Sequence, residues 1–133
     1  MACILLIEDY PSLQKIYKTV LEEKGHTVLV ASDGNEGLIA ASQNEIDLIL
    51  LDLLMPNKDG FDFLGEYKLK DHPSVKLIIL TNVYTPEFLN RALELGANNY
   101  LVKADITPQK MVKVVNETLQ LPAKSQIALK KPS

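Results

Sequence analysis

The chain has one cysteine, Cys3, and no tryptophan among its 133 residues. One thiol cannot form an intrachain disulfide, and its neighbours Ile4 and Leu5 suggest a buried structural thiol. Long apolar runs are missing too. Asp47 and Asp52 interrupt the longest candidate, well short of the roughly 20 residues a membrane-spanning helix needs. Positive charge is not in excess: the net charge is −3, which gives no general electrostatic case for direct nucleic-acid binding. The opening MACILLIED lacks the basic start and small-residue cleavage site of a secretory leader. A cytoplasmic protein without membrane insertion is the resulting expectation. Histidine is scarce as well. His26 and His72 form no His/Cys cluster of the zinc-binding kind.

What is present is an ordinary globular composition, 47% hydrophobic and 23% charged, at a length that suits one core. Short apolar runs at residues 3–7, 27–31, 48–51, 77–80 and 100–102 are each about a strand long. Helical spacing separates them. Leu13, Ile16, Tyr17, Val20 and Leu21 share one helix face, and Gly25 is placed to end that helix. Residues 35–43 read as an Ala-rich second helix. Phe61, Leu64 and Tyr67 mark a third. Phe88, Leu89, Ala92 and Leu93 mark a fourth, closed near Gly96. Met111, Val112, Val115 and Leu119 mark a fifth. Pro11, Pro86 and Pro108 sit at first helical positions, where a missing N–H costs nothing. Thr85 and Thr107 precede two of them as N-caps.

Five strands alternating with five helices predict a single α/β, doubly wound (βα)5 domain with parallel strands, over residues 1–121. The strands lack in/out alternation because helices cover both faces. Residues 122–133 read as a tail or the start of a linker.

In open α/β sheets, ligands bind beyond the carboxyl ends of the strands. Glu8-Asp9 follow the first strand, Asp52 the third, Thr81-Asn82 the fourth and Lys103 the fifth. Taken singly, each is an ordinary strand-end residue. Together, three carboxylates on one edge repel, and a single lysine offsets only part of that. A divalent cation would resolve the conflict, and hard oxygen ligands favour Mg²⁺. A metal beside a carboxylate and a lysine suits phosphoryl transfer, with Asp52 as the best-placed nucleophile.

This set resembles the receiver domain of two-component response regulators. The residues that carry the resemblance are Glu8-Asp9, Asp52 with Met55-Pro56 and Asp59-Gly60, Thr81, Tyr100 and Lys103. It spans residues 1–120. It implies a five-stranded parallel sheet of order 2-1-3-4-5. It implies that Asp52 accepts a phosphoryl group from a sensor histidine kinase or a histidine phosphotransfer protein. Mg²⁺ would be held by Asp9 and Asp52 directly, by Glu8 through water and by the Leu54 backbone carbonyl. Lys103 would pair with phosphoryl oxygens and Thr81 would donate its hydroxyl to them. Tyr100 would then turn inward and change the surface of helix 4, strand 5 and helix 5, where a downstream protein or a second copy binds. On that surface the apolar faces leave Glu87, Asn90, Arg91 and Glu94 of helix 4 exposed, with Lys110, Lys113 and Asn116 of helix 5. Gly60 is read as permitting a positive φ in the loop after Asp52. The expected chemistry is autophosphorylation and slow self-dephosphorylation, not enzymatic turnover.

The chain departs from the family at two places. Ala104 follows Lys103 where proline is usual, so the Lys103–Ala104 bond is either trans or a strained cis. Asn82 follows Thr81 where a small residue is usual. Leu54 and Val83 place apolar side chains beside the site. A phosphatase with an aspartate nucleophile would need a second acid at position 54, and Leu54 speaks against it. A phosphorylation-independent interaction module is the alternative that the Asn82 and Ala104 departures keep open.

Overall fold

The computed structural model describes residues 2–55, 57–82 and 85–122. Its elements, in chain order, are β1 (Cys3–Ile7), α1 (Pro11–Glu22), β2 (Thr27–Ala31), α2 (Gly34–Gln43), β3 (Leu48–Asp52), α3 (Gly60–Tyr67), β4 (Lys76–Thr81), α4 (Pro86–Glu94), β5 (Asn99–Val102) and α5 (Pro108–Leu119). All four strand pairings are parallel, and the order is β2-β1-β3-β4-β5, as the resemblance implied. Pro56, Val83 and residues 123–133 of the expected tail lie outside the described residues.

The central strands are apolar throughout because each face has its own core. Ile49 and Leu51 of β3, with Leu77 and Ile79 of β4, pack against Phe63, Leu64 and Ala92 of α3 and α4. Leu48, Leu50, Ile78 and Leu80 face the other way, against Tyr17, Leu21, Met111 and Val115 of α1 and α5. Full burial of each such side chain contributes about 1.5–3 kcal/mol. The result is a rigid sheet whose strand tips hold polar groups in fixed places.

Helix ends follow the local signals. Pro11, Pro86 and Pro108 each open a helix. The Thr85 and Thr107 hydroxyls accept from the N–H groups of Phe88 and Lys110. Asp59 caps α3 in a reciprocal box with Asp62. Gly25 and Gly96, at φ 93° and 105°, turn the chain after α1 and α4.

Several expectations are corrected. Ile16, assigned to the buried face of α1, is 51% exposed; Tyr17 and Leu21 alone are fully covered there. The fully buried ring of α3 is Phe63, while Phe61 is half-buried and meets Phe88 edge-on. Gly60 does not adopt a positive φ; that conformation belongs to Asn57, at 61°. Gly60 is needed for another reason: a Cβ there would lie 2.7 Å from the Asp52 carbonyl oxygen and from the Leu53 Cα. Cys3 is half-buried rather than buried, and burial together with nearby Asp47 pushes its thiol up, away from the reactive thiolate. The α4 and α5 positions expected to be exposed are so. Arg91, however, lays its guanidinium 3.8 Å from the Phe61 ring centre, so it leans over α3.

Candidate functional site

Strand register brings the predicted residues together. Ile7 pairs with Leu51, so Glu8 and Asp52 stand side by side, one residue on. Asp52 pairs with Leu80, and Thr81 with Val102, which sets Lys103 beside them. Glu8, Asp9, Asp52, Leu54, Thr81 and Lys103 line one cleft of 420 Å³, together with Tyr10, Leu13, Asn82 and Ala104. A larger cleft of 530 Å³ opens at the other end of the sheet, lined by Leu69, His72, Val75 and Leu93 among others. It gathers no comparable set of acids, so the smaller cleft is the candidate site.

The acids are buried to different degrees. Glu8 is fully buried and Asp52 is 4% exposed, while Asp9 is half-buried. One oxygen from each of Glu8, Asp9 and Asp52 lies within 4.8 Å of the others. Lys103 bridges two of them, its Nζ 2.9 Å from Oε1 of Glu8 and 3.1 Å from Oδ2 of Asp52. Backbone donors complete the set. The Leu54 N–H donates to Oδ1 of Asp52 at 3.1 Å, and the Tyr10 N–H to Oε2 of Glu8 at 3.1 Å.

Burial pushes both the Glu8 and Asp52 carboxyls up, and the Lys103 ammonium offsets only part of that. For Lys103 the balance is reversed. Burial works against its charge, but Glu8 and Asp52 hold it above its usual value. Two buried carboxyls, both pushed up, thus share one lysine.

Such a donor set fits a hydrated Mg²⁺. The Oε1 atom of Glu8 is buried and, although beside Lys103, has no hydrogen-bond partner of acceptable geometry. A metal-bound water would share it with Lys103. Asp9, less buried, opens the cluster to the cleft. His26 and His72 are elsewhere: the first accepts from the Ala2 N–H, and the second stacks on Tyr67.

Tyr100 is half-buried on the edge strand β5, against the core shared by α2, α3 and α4. Leu54 is 55% exposed at the mouth of the cleft, as an apolar neighbour of the site. No peptide bond among the described residues is cis, so Lys103–Ala104 is trans. Sequence reasoning missed the Leu54 and Tyr10 N–H donors, since a backbone N–H leaves no mark on residue type. It also missed a bond from the Ala104 N–H to Oδ1 of Asn82, at 2.9 Å. The two departures from the family pattern thus touch each other.

Comparison with known proteins points one way. The family model described as response regulator receiver domain matches residues 4–116. The transcriptional regulatory protein CpxR of Klebsiella pneumoniae is 40% identical over 100 residues, covering 75% of this chain and 42% of that protein. The response regulator SaeR of Staphylococcus aureus is 31% identical over 121 residues, covering 90% of this chain and 51% of that protein. The gliding motility regulatory protein of Myxococcus xanthus is 34% identical over 116 residues, 85% of this chain but 15% of that protein. The chain thus spans about half or less of these relatives. Among solved structures, the chemotaxis protein CheY4 of Vibrio cholerae superposes with a TM-score of 0.82 at 28% identity, covering 89% of this chain and 98% of that one. No helix among the described residues is long and apolar enough to cross a membrane.

Proposed function

The chain belongs to the response regulator receiver domain family, and from that premise we propose that it is a phosphorylation-activated switch with Asp52 as acceptor. It is a signalling domain rather than an enzyme that turns over a metabolite. One observation carries the reading: three acids within 4.8 Å at the strand tips, two of them bridged by one lysine.

Asp9 and Asp52, with Glu8 through water and the Leu54 carbonyl, would hold Mg²⁺. The ion supplies charge neutralisation for the oxygens of a transferring phosphoryl group. An Oδ atom of Asp52 attacks the phosphorus of a phosphohistidine on a sensor histidine kinase or histidine phosphotransfer protein. The P–N bond breaks, and its electron pair stays on the imidazole nitrogen. Asp52 needs no base, because its carboxylate is the nucleophile once ionised. Lys103 then pairs with a phosphoryl oxygen, and the Thr81 hydroxyl donates to another.

The added charge biases a two-state element. Thr81 draws in the segment after β4, and Tyr100 turns inward. The surface of α4, β5 and α5 changes and meets a downstream protein or a second copy. Glu87, Asn90, Arg91, Glu94, Lys110, Lys113 and Asn116 are among its exposed polar members. Incubation with Mg²⁺ and a small phosphodonor, followed by intact mass, tests the reading. One labile adduct on Asp52 supports it, and none in the parent protein contradicts it.

A further inference from the structure

We propose that Asn82 is a positioning residue that sets where Lys103 presents its ammonium. Oδ1 of Asn82 accepts a hydrogen bond from the Ala104 N–H at 2.9 Å, across 22 residues of sequence. The ladder between β4 and β5 ends at the pair Thr81 and Val102. Regular backbone pairing therefore stops where the site begins. Ala104 lies in a 3-10 turn, Lys103–Asp105, whose preceding residue Val102 provides no side-chain cap. The first N–H groups of such a turn find no acceptor inside it. Asn82 supplies one from the neighbouring strand. Only the amide oxygen can accept from an N–H, so chemistry fixes which end of the side chain faces the turn.

The consequence falls on Lys103. Its backbone is held on one side by the ladder at Val102 and on the other by the bond to Ala104. That fixes the direction of its Cα–Cβ bond. From there the side chain reaches Glu8 and Asp52, at 2.9 and 3.1 Å. Asn82 and Ala104 line the same cleft as Asp52, yet neither touches the acids through any described contact. Asn82 acts on the site through the lysine. Both residues are exposed, so water competes for their bond and the effect is modest.

The kinetic part of the test rests on Asp52 being the phosphoryl acceptor; the crystallographic part does not. Phosphorylation by a small phosphodonor with Mg²⁺ is measured for the parent, Asn82→Ala, Lys103→Ala and the double variant, the slow ones over longer times. Asn82→Ala is expected to slow the reaction about threefold to tenfold, with an unfolding midpoint lowered far less than in Lys103→Ala, because the lysine stays near the acids. In the Lys103→Ala background it should add no further loss, which a merely structural role would not produce. A full rate in Asn82→Ala, or the same added loss without Lys103, overturns the proposal. Crystal structures of the parent and Asn82→Ala provide the second readout: Nζ of Lys103 should leave Asp52 in the variant. If the parent takes no phosphoryl group, the proposed function fails. The positioning role is then decided by that structure alone, and an unmoved Nζ overturns it.

Discussion

Lys103 holds its ammonium 2.9 Å from Oε1 of Glu8, a carboxylate with no solvent exposure. Without that neighbour, Glu8 and Asp52 would be buried charges with no counter-ion. Breaking such a pair from one side is far more costly than never having built it. Lys103→Ala should therefore lower the unfolding free energy by about 3–5 kcal/mol at pH 7. The loss should shrink at about pH 4, near ordinary carboxyl values, because the acids then take up protons. Urea unfolding at both pH values checks this, and an equal loss at the two would contradict it.

The same cluster sets a sign for the pH dependence. Burial raises the Glu8 and Asp52 values. Between the ordinary carboxyl range, about 4, and those raised values, the folded protein binds protons that the unfolded chain has released. Their contribution to stability therefore falls as pH rises through that window, and stays lower above it. Lys103 has the same sign in an alkaline window. Its raised value gives stability that is present below the ordinary lysine range and lost as pH climbs through the raised value. Asp52→Asn should be more stable than the parent at pH 7 and show a flatter curve across the acidic window. Chemical denaturation over a pH series measures both curves. An Asp52→Asn variant no more stable than the parent at pH 7 would count against this origin of the strain.

A cation that relieves the repulsion must stabilise the fold by mass action. At a tenfold excess of free Mg²⁺ over its Kd, the gain is about 1.4 kcal/mol. The thermal midpoint of the parent should rise with Mg²⁺, and that of Asp9→Asn should respond much less. An equal response in both would place the ion elsewhere.

Gly60 and Gly65 separate two uses of glycine in one short helix. A Cβ at Gly60 would strike the Asp52 and Leu53 backbone at 2.7 Å, whereas one at Gly65 meets nothing within 4 Å. Gly60→Ala should destabilise by about 1–3 kcal/mol and disturb the site through Asp52. Gly65→Ala, inside α3, should stabilise by about 0.5–1 kcal/mol. Denaturation midpoints of the two variants test the contrast directly.

These glycines also show where sequence reasoning stops. The β3 run is readable because a strand covered on both faces must be apolar at every position, and a carboxylate at its tip stands out against such a run. The helix starts were readable because proline and threonine act within one turn of chain. The Gly60 misreading has a physical cause: a positive φ and a close approach both forbid a Cβ, and composition cannot tell them apart. Ile16 was misplaced because helical spacing marks a stripe without showing where the sheet ends beneath it. The Asn82–Ala104 bond was invisible because its donor is a backbone N–H and its partners stand 22 residues apart. The convergence of Glu8, Asp9, Asp52 and Lys103 was readable from topology alone. The bridging of Glu8 by Lys103 was not, because it depends on side-chain reach.

The central claim is that Asp52 accepts a phosphoryl group in a Mg²⁺-dependent reaction. Intact mass after incubation with Mg²⁺ and a small phosphodonor addresses it most directly. The account predicts a single labile phosphoryl adduct in the parent, absent in Asp52→Asn and absent when Mg²⁺ is chelated. A parent protein that stays unmodified under those conditions, or an adduct that persists in Asp52→Asn, would contradict it.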